Sequence, residues 1–212
     1  MPTLFTVIRH GETVANLNCV IQGQSDVPLS PAGEKQAELL ARRWKNRRFD
    51  AVYSSDLSRA VRTAEIVAHG MKPVLTPELR EMDLGEWVGH TTAEVAELYP
   101  EEWRTFRSAS VECRATGGES RRELLERISC FFRAAAARHP DGNVLVVTHG
   151  GALRAFFLML MGGSLNDRAL LPSTGNTGIS TVRYDPVADS WRIISWNDTA
   201  HLESLTNGDD VY

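Results

Sequence analysis

The sequence predicts an α/β fold, a three-layer sandwich in which a mostly parallel sheet carries helices on both faces. Short apolar, β-rich runs alternate with stretches of helical periodicity, as in sheets built from strand–helix–strand units. The junctions where runs give way to helices hold the most reactive side chains, which is where such sheets bind ligands. Size agrees. The 212 residues, 42% hydrophobic and 24% charged, suit one domain spanning 1–212 with a small helical lid insert at about 91–118.

The elements follow in order. Residues 4–8 form a first strand that ends in Arg9-His10-Gly11. Ser30 caps a helix that Pro31 opens, since proline suits the first helical position. Ala37, Leu40, Ala41 and Trp44 then recur at helical spacing. A second strand covers 50–53, followed by Ser54-Ser55-Asp56 and a helix over about 57–68. Residues 73–75 read as a third strand and 143–147 as a fourth. Between them a long helix, 119–138, shows an apolar stripe of Leu124, Leu125, Ile128, Phe131 and Phe132. After His149-Gly150-Gly151 a further helix runs to about Met161. Residues 179–184 and 191–195 make a closing pair of strands around the Asp185-Pro186 turn. The stretch 91–118 stands apart: Val95, Leu98, Trp103 and Phe106 give an amphipathic insert broken at Pro100. It is a candidate lid or, more plainly, a cover for one sheet edge. The last residues, 206–212, are polar and expected to fray.

Composition excludes several functions. Lys and Arg number 23 against 27 Asp and Glu, a net charge of −4, so the chain is not built to coat nucleic acid or an anionic membrane. An anionic ligand would need a local positive pocket. The basic run Arg42, Arg43, Lys45, Arg47 and Arg48 reads as a solvated helix end, where cations complement the dipole. Three scattered cysteines without a CxxC argue against a disulfide framework or structural zinc, and for a reducing compartment. The opening residues lack the basic start of a signal peptide. No apolar run approaches the ~20 residues that span a bilayer. The expectation is a cytoplasmic protein with no cofactor or metal, and with its oligomeric state, homo-oligomer or not, left open.

Two histidines directly follow apolar strands and precede glycines, in Arg9-His10-Gly11-Glu12-Thr13 and Thr148-His149-Gly150-Gly151. If the strands are parallel neighbours, both imidazoles face one crevice. A neutral imidazole can attack phosphorus while guanidinium groups hold phosphoryl oxygens. Arg59 begins the helix after the second strand and belongs at the same end of the sheet, where helix N–H groups add positive potential. Each residue alone is more often structural, and Arg59 or Arg62 could simply pair with Asp56 or Glu65. Two His-Gly pairs at two strand ends are harder to dismiss.

These segments, with Asn16 after the first, resemble the signature of the histidine phosphatase superfamily, in its phosphoglycerate-mutase-like branch. The resemblance continues through Gln22-Gly23, residues 26–30, 59–64, 81–87, 117–120, Asn176-Thr177-Gly178 and 197–202, in order and over nearly the whole chain. It implies that His10 is the nucleophile and becomes a phosphohistidine. Arg9, Arg59 and His149 would bind the phosphoryl group, with Asn16, Gln22, Gly23 and Gly150 also at the binding site. Glu81 would protonate the leaving oxygen, although Glu78, Asp83 and Glu86 cluster beside it and only the match of Arg80-Glu81-Met82 singles it out.

The insert is short, with Arg104, Arg107 and Arg114 its only basic residues, and the tail from Ile179 resembles the α-ribazole and broad-specificity phosphatases. The resemblance therefore implies a metal-independent phosphomonoesterase acting on small phosphorylated metabolites. Phosphoglycerate mutation is the alternative within the class, and a catalytically inactive phosphate-binding regulatory module is the alternative outside it. Gln22, Trp87, Trp103 and Arg114 are the residues considered for substrate specificity. His69, His90 and His139 default to structural roles, and His201 is expected to pack beneath the site.

Overall fold

The structure is a computed structural model describing residues 1–107, 111–162 and 174–206. The polar tail from 207 and residues 108–110 of the insert lie outside the described residues. Six strands form one sheet in the order β3-β2-β4-β1-β5-β6. They are β1 (Thr3–Arg9), β2 (Ala51–Ser55), β3 (Val74–Thr76), β4 (Asn143–Thr148), β5 (Ile179–Asp185) and β6 (Ser190–Asp198). The first four are mutually parallel, and β5 and β6 run antiparallel at one edge.

Successive side chains of a strand point to opposite faces, and β4 shows why the sheet needs two helical layers. Val144, Leu145, Val146 and Val147 are all wholly buried. Val144 and Val146 face α6 (Arg121–Arg138) and α7 (Gly150–Leu160). Leu145 and Val147 face the opposite layer, α2 (Pro31–Arg43) and α3 (Ser58–Val67). Phe132 of α6 stacks on Phe156 of α7 with ring centroids 3.6 Å apart.

The helix starts follow from capping. Ser30 accepts from Gly33 N and Pro31 occupies the first turn of α2. Ser120 and Glu123 form a capping box, so α6 begins at Arg121 rather than at 119 as the periodicity suggested. One short helix, α1 (Val14–Leu17), follows the first His-Gly pair with Thr13 as its cap.

The insert contains α4 (Thr92–Leu98) and α5 (Pro100–Arg107), broken at Pro100 as expected. Trp87 packs edge-on against Trp103 and Phe106 of α5, at 5.7 and 5.0 Å. The Glu102 carboxylate accepts from Trp87 Nε1 and from Thr116 N and Oγ1. Trp87 is wholly buried and is the peg on which the insert hangs. Arg114 is likewise occupied, in an ion pair with Glu123. A final short helix, α8 (Glu203–Thr206), closes the described chain. Among the described residues no helix is long and apolar enough to cross a membrane.

Candidate active site

Three strand ends converge on one pocket. Arg9 pairs with Thr148 across β1 and β4, so His10 and His149 leave adjacent strands side by side. His10 N donates to Thr148 O at 2.9 Å, and the two rings lie 5.0 Å apart, tilted by 57°. Both are buried, His10 at 2% exposure and His149 at 0%.

The hydrogen bonds fix both tautomers. Nδ1 of His10 lies 2.6 Å from the Gly11 carbonyl oxygen. A carbonyl only accepts, so Nδ1 carries a proton, and in the neutral ring Nε2 keeps its lone pair. Arg59 Nε donates to Nδ1 of His149 at 3.3 Å, so His149 is protonated on Nε2, which donates to Ser55 Oγ at 2.8 Å. Burial pushes both imidazoles well below their usual pKa. The cations Arg9 and Arg59 lower His10 further, and His10 and Arg59 do the same to His149. Both rings are neutral.

Arg59 is 1% exposed. Its other bonds go to Ser25 O at 2.6 Å and Gly23 O at 2.9 Å, leaving two of its five N–H groups uncommitted. Arg9 donates from Nη1 to Thr174 O at 2.7 Å. Its Nε is buried with no hydrogen-bond partner among the described residues. An unmet donor on a desolvated cation is costly by itself and is what an arriving anion relieves.

Glu81 closes the pocket. Its Oε1 accepts from Met82 N at 2.8 Å and its Oε2 from Gly151 N at 3.0 Å, so the carboxylate rests on the N-terminus of α7. A Cβ on Gly151 would lie 2.1 Å from Oε1, so only glycine admits the carboxylate there. A Cβ on Gly150 would lie 3.6 Å from Arg9 Nε and 3.9 Å from Glu81 Oε2, which places these two groups beside the first residue of α7.

The remaining expected residues surround this centre. Asn16 Oδ1 accepts from Thr13 N at 3.1 Å and Asn176 Nδ2 at 3.3 Å, leaving its amide NH2 for a ligand. Gln22 Oε1 accepts from Thr13 Oγ1 at 3.0 Å. Gly23 adopts φ +48°, the left-handed region, which turns its carbonyl to Arg59. Glu12 accepts from Ser30 Oγ and braces the first loop.

Arg62 is not at the site: it pairs with Glu34 and Glu65, while Asp56 pairs with Arg80. His139 bonds Tyr53. His201 Nε2 bonds Thr177 Oγ1, beneath the Thr177 N–H that donates to Arg9 O. Burial lowers the His201 pKa to about 4.

Sequence reasoning missed the braces. Ser55 orients His149, Thr63 Oγ1 accepts from Gly11 N at 3.0 Å, and Thr148 Oγ1 donates to Leu79 O at 2.7 Å. Among the described residues no group of three or more His, Cys, Asp or Glu side chains is placed to hold a metal ion.

A mostly parallel α/β sheet with two neutral histidines, a buried arginine and a half-buried one at its carboxyl end defines a class of anion-binding site suited to phosphoryl groups. The chain belongs to the histidine phosphatase superfamily (branch 1), whose family model matches residues 5–199. It is 36% identical to phosphoglycerate mutase-like protein 4 of Arabidopsis thaliana over 203 residues, 93% of this chain and 86% of that protein. It is also 36% identical to a metal-independent phosphoserine phosphatase of Arabidopsis thaliana over 208 residues, 96% of this chain and 84% of that one. A phosphoserine phosphatase mutant from Entamoeba histolytica, solved in complex with phosphoserine, superposes with a TM-score of 0.86 at 29% identity. That match covers 94% of this chain and 99% of the other.

Proposed function

We propose that this chain is a metal-independent phosphomonoesterase that hydrolyses small phosphorylated metabolites through a phosphohistidine on His10. One observation carries the reading. The Nδ1–H bond from His10 to Gly11 O places the lone pair of the neutral ring on Nε2, inside a pocket where Arg9 holds a buried, unmet donor.

His10 Nε2 attacks phosphorus as the bond to the ester oxygen breaks. Arg9 and Arg59 neutralise the phosphoryl oxygens, the task on which phosphoryl transfer chiefly depends, and His149 packs beside His10 at the same seat. An alkoxide leaves poorly, so Glu81 in its protonated form gives its proton to the departing oxygen. Water then attacks the phosphohistidine, the Glu81 carboxylate takes a proton from it, and inorganic phosphate leaves as the N–P bond breaks. Asn16 and Gln22 line the same pocket as further donors. The named relatives include a metal-independent phosphoserine phosphatase, which fits charge neutralisation by arginine.

The test is phosphate release from a panel of phosphomonoesters in EDTA, with 3-phosphoglycerate also followed for 2-phosphoglycerate. Release that survives chelation and is abolished in a folded His10→Ala variant is the expected result. Isomerisation without release would make the chain a mutase, and unaltered turnover in His10→Ala would remove the mechanism.

A further inference from the structure

Glu81 sits on no regular element. It follows a 3-10 turn, Pro77–Leu79, and precedes another, Gly85–Trp87. A catalytic group on a loop keeps its geometry only if neighbouring groups hold it. Gln24 Nε2 donates to Glu81 O at 3.2 Å, and a larger set of bonds comes from α6, which contributes no group to the pocket itself.

Arg127 projects from α6 against this loop. Its Nη1 donates to Glu78 O at 2.8 Å and Arg80 O at 3.1 Å, and its Nη2 donates to Glu81 O at 3.4 Å. The other edge of the guanidinium meets Glu119: Nη2 donates to Oε1 at 2.6 Å and Nε to Oε2 at 3.4 Å. Glu119 also grips the loop beyond the acid. Its Oε1 accepts from Asp83 N at 2.9 Å, and its own N–H donates to Asp83 O at 3.0 Å. The pair is shielded, with side chains 20% and 16% exposed. From the opposite side Arg80 forks onto Asp56 at 2.7 and 2.6 Å, so the loop is stretched between two anchors.

We propose that Arg127, held by Glu119, is a positioning residue for Glu81, fixing the acid's main chain so that its carboxyl meets the leaving oxygen. The proposal rests on the reading of Glu81 as the acid. Arg127 hydrogen-bonds carbonyls and not the Glu81 carboxyl, and its charge is balanced by Glu119, so its effect on Glu81 is one of place. A planar fork with donors on two edges can serve carbonyls and a carboxylate at once; a lysine ammonium cannot.

Protonation of the leaving group matters for an alkyl phosphate and much less for p-nitrophenyl phosphate, whose phenolate leaves unaided. Loss of the clamp therefore has a signature that a general loss of structure lacks. In Arg127→Met, kcat/KM on glycerol phosphate should fall on the order of 100-fold, the scale of an ångström's misplacement, with far less change on p-nitrophenyl phosphate. Added to Glu81→Gln, the same substitution should cost little more on glycerol phosphate, because the acid it positions is gone. Glu119→Gln, which keeps the side-chain shape, should show the same preference more weakly and covers the case in which Arg127→Met fails to fold. Equal loss on both esters in Arg127→Met and Glu119→Gln, or no loss, overturns the positioning role while Glu81→Gln remains selective. Equal loss in Glu81→Gln itself overturns the acid assignment and this proposal with it.

Discussion

Gly151→Ala separates the position of the acid from the stability of the fold. The new methyl carbon would lie 2.1 Å from Glu81 Oε1 and 3.1 Å from the carboxyl carbon, against an ordinary contact of 3.4 Å or more. The obstructing atoms are the end of a flexible side chain, so the carboxyl retreats, by about 1.3 Å, and its bond from Gly151 N is lost. The helix itself gains, since alanine is better than glycine in a helix by up to ~1 kcal/mol. The variant should therefore melt at or above the wild-type temperature. Its kcat/KM on glycerol phosphate should fall by about 100-fold, equivalent to ~2.7 kcal/mol of barrier. Hydrolysis of p-nitrophenyl phosphate should be largely spared. The assay is a pair of steady-state measurements on the two esters, with a thermal melt of each protein. Wild-type rates on glycerol phosphate would refute the reasoning, and so would a fall in melting temperature of several degrees, because the clash would then be borne by the backbone.

Two other outcomes follow from the histidines. Both rings are neutral in the fold, so below pH 6.5 the unfolded chain binds protons that the native state does not. Stability then falls as pH falls. Between pH 7 and 5.5 the loss is about 1.2 kcal/mol for each histidine held neutral throughout. Urea midpoints in phosphate-free buffer should show a drop in wild type larger by that amount than in His10→Ala; equal drops would mean that His10 titrates normally in the fold. Ser55→Ala removes the acceptor of His149 Nε2–H where both residues are wholly buried, a loss of about 1–3 kcal/mol. Equilibrium unfolding should record it together with reduced turnover, and an unchanged midpoint would mean that the Ser55–His149 bond does not brace the pocket.

Most of the fold was legible because its signals are local. The run 143–147 reads as a strand buried on both faces, and so it is. Ser30-Pro31 marked the start of α2 to the residue. Four-residue α1 is too short to show a period, and the antiparallel edge was legible only through the turn at Asp185-Pro186. The histidines and arginines of the pocket stood out because each sits at a strand end or the first turn of a helix. The residues that hold them did not. Ser55 meets His149 from 94 positions away, and Arg127 reaches Glu78 from 49 away, so nothing in the neighbouring sequence announces either contact. Nor did the sequence announce that Trp87 would be wholly buried at the centre of the insert's own apolar cluster.

The spacing of the two pocket histidines has a consequence for how such a site can diversify. Their ring centroids are 5.0 Å apart, close to the ~4.8 Å that separates neighbouring strands of any sheet. The gap between them is thus ruled by the backbone lattice, as the pitch of a comb is ruled by its spine. Replacements in α4 and α5 leave that pitch alone, because those helices gather chiefly round Trp87, in a cluster that contains no residue of β1 or β4. Whatever the phosphoryl group is attached to can change with the insert, while the seat of the phosphoryl group stays machined to one gauge.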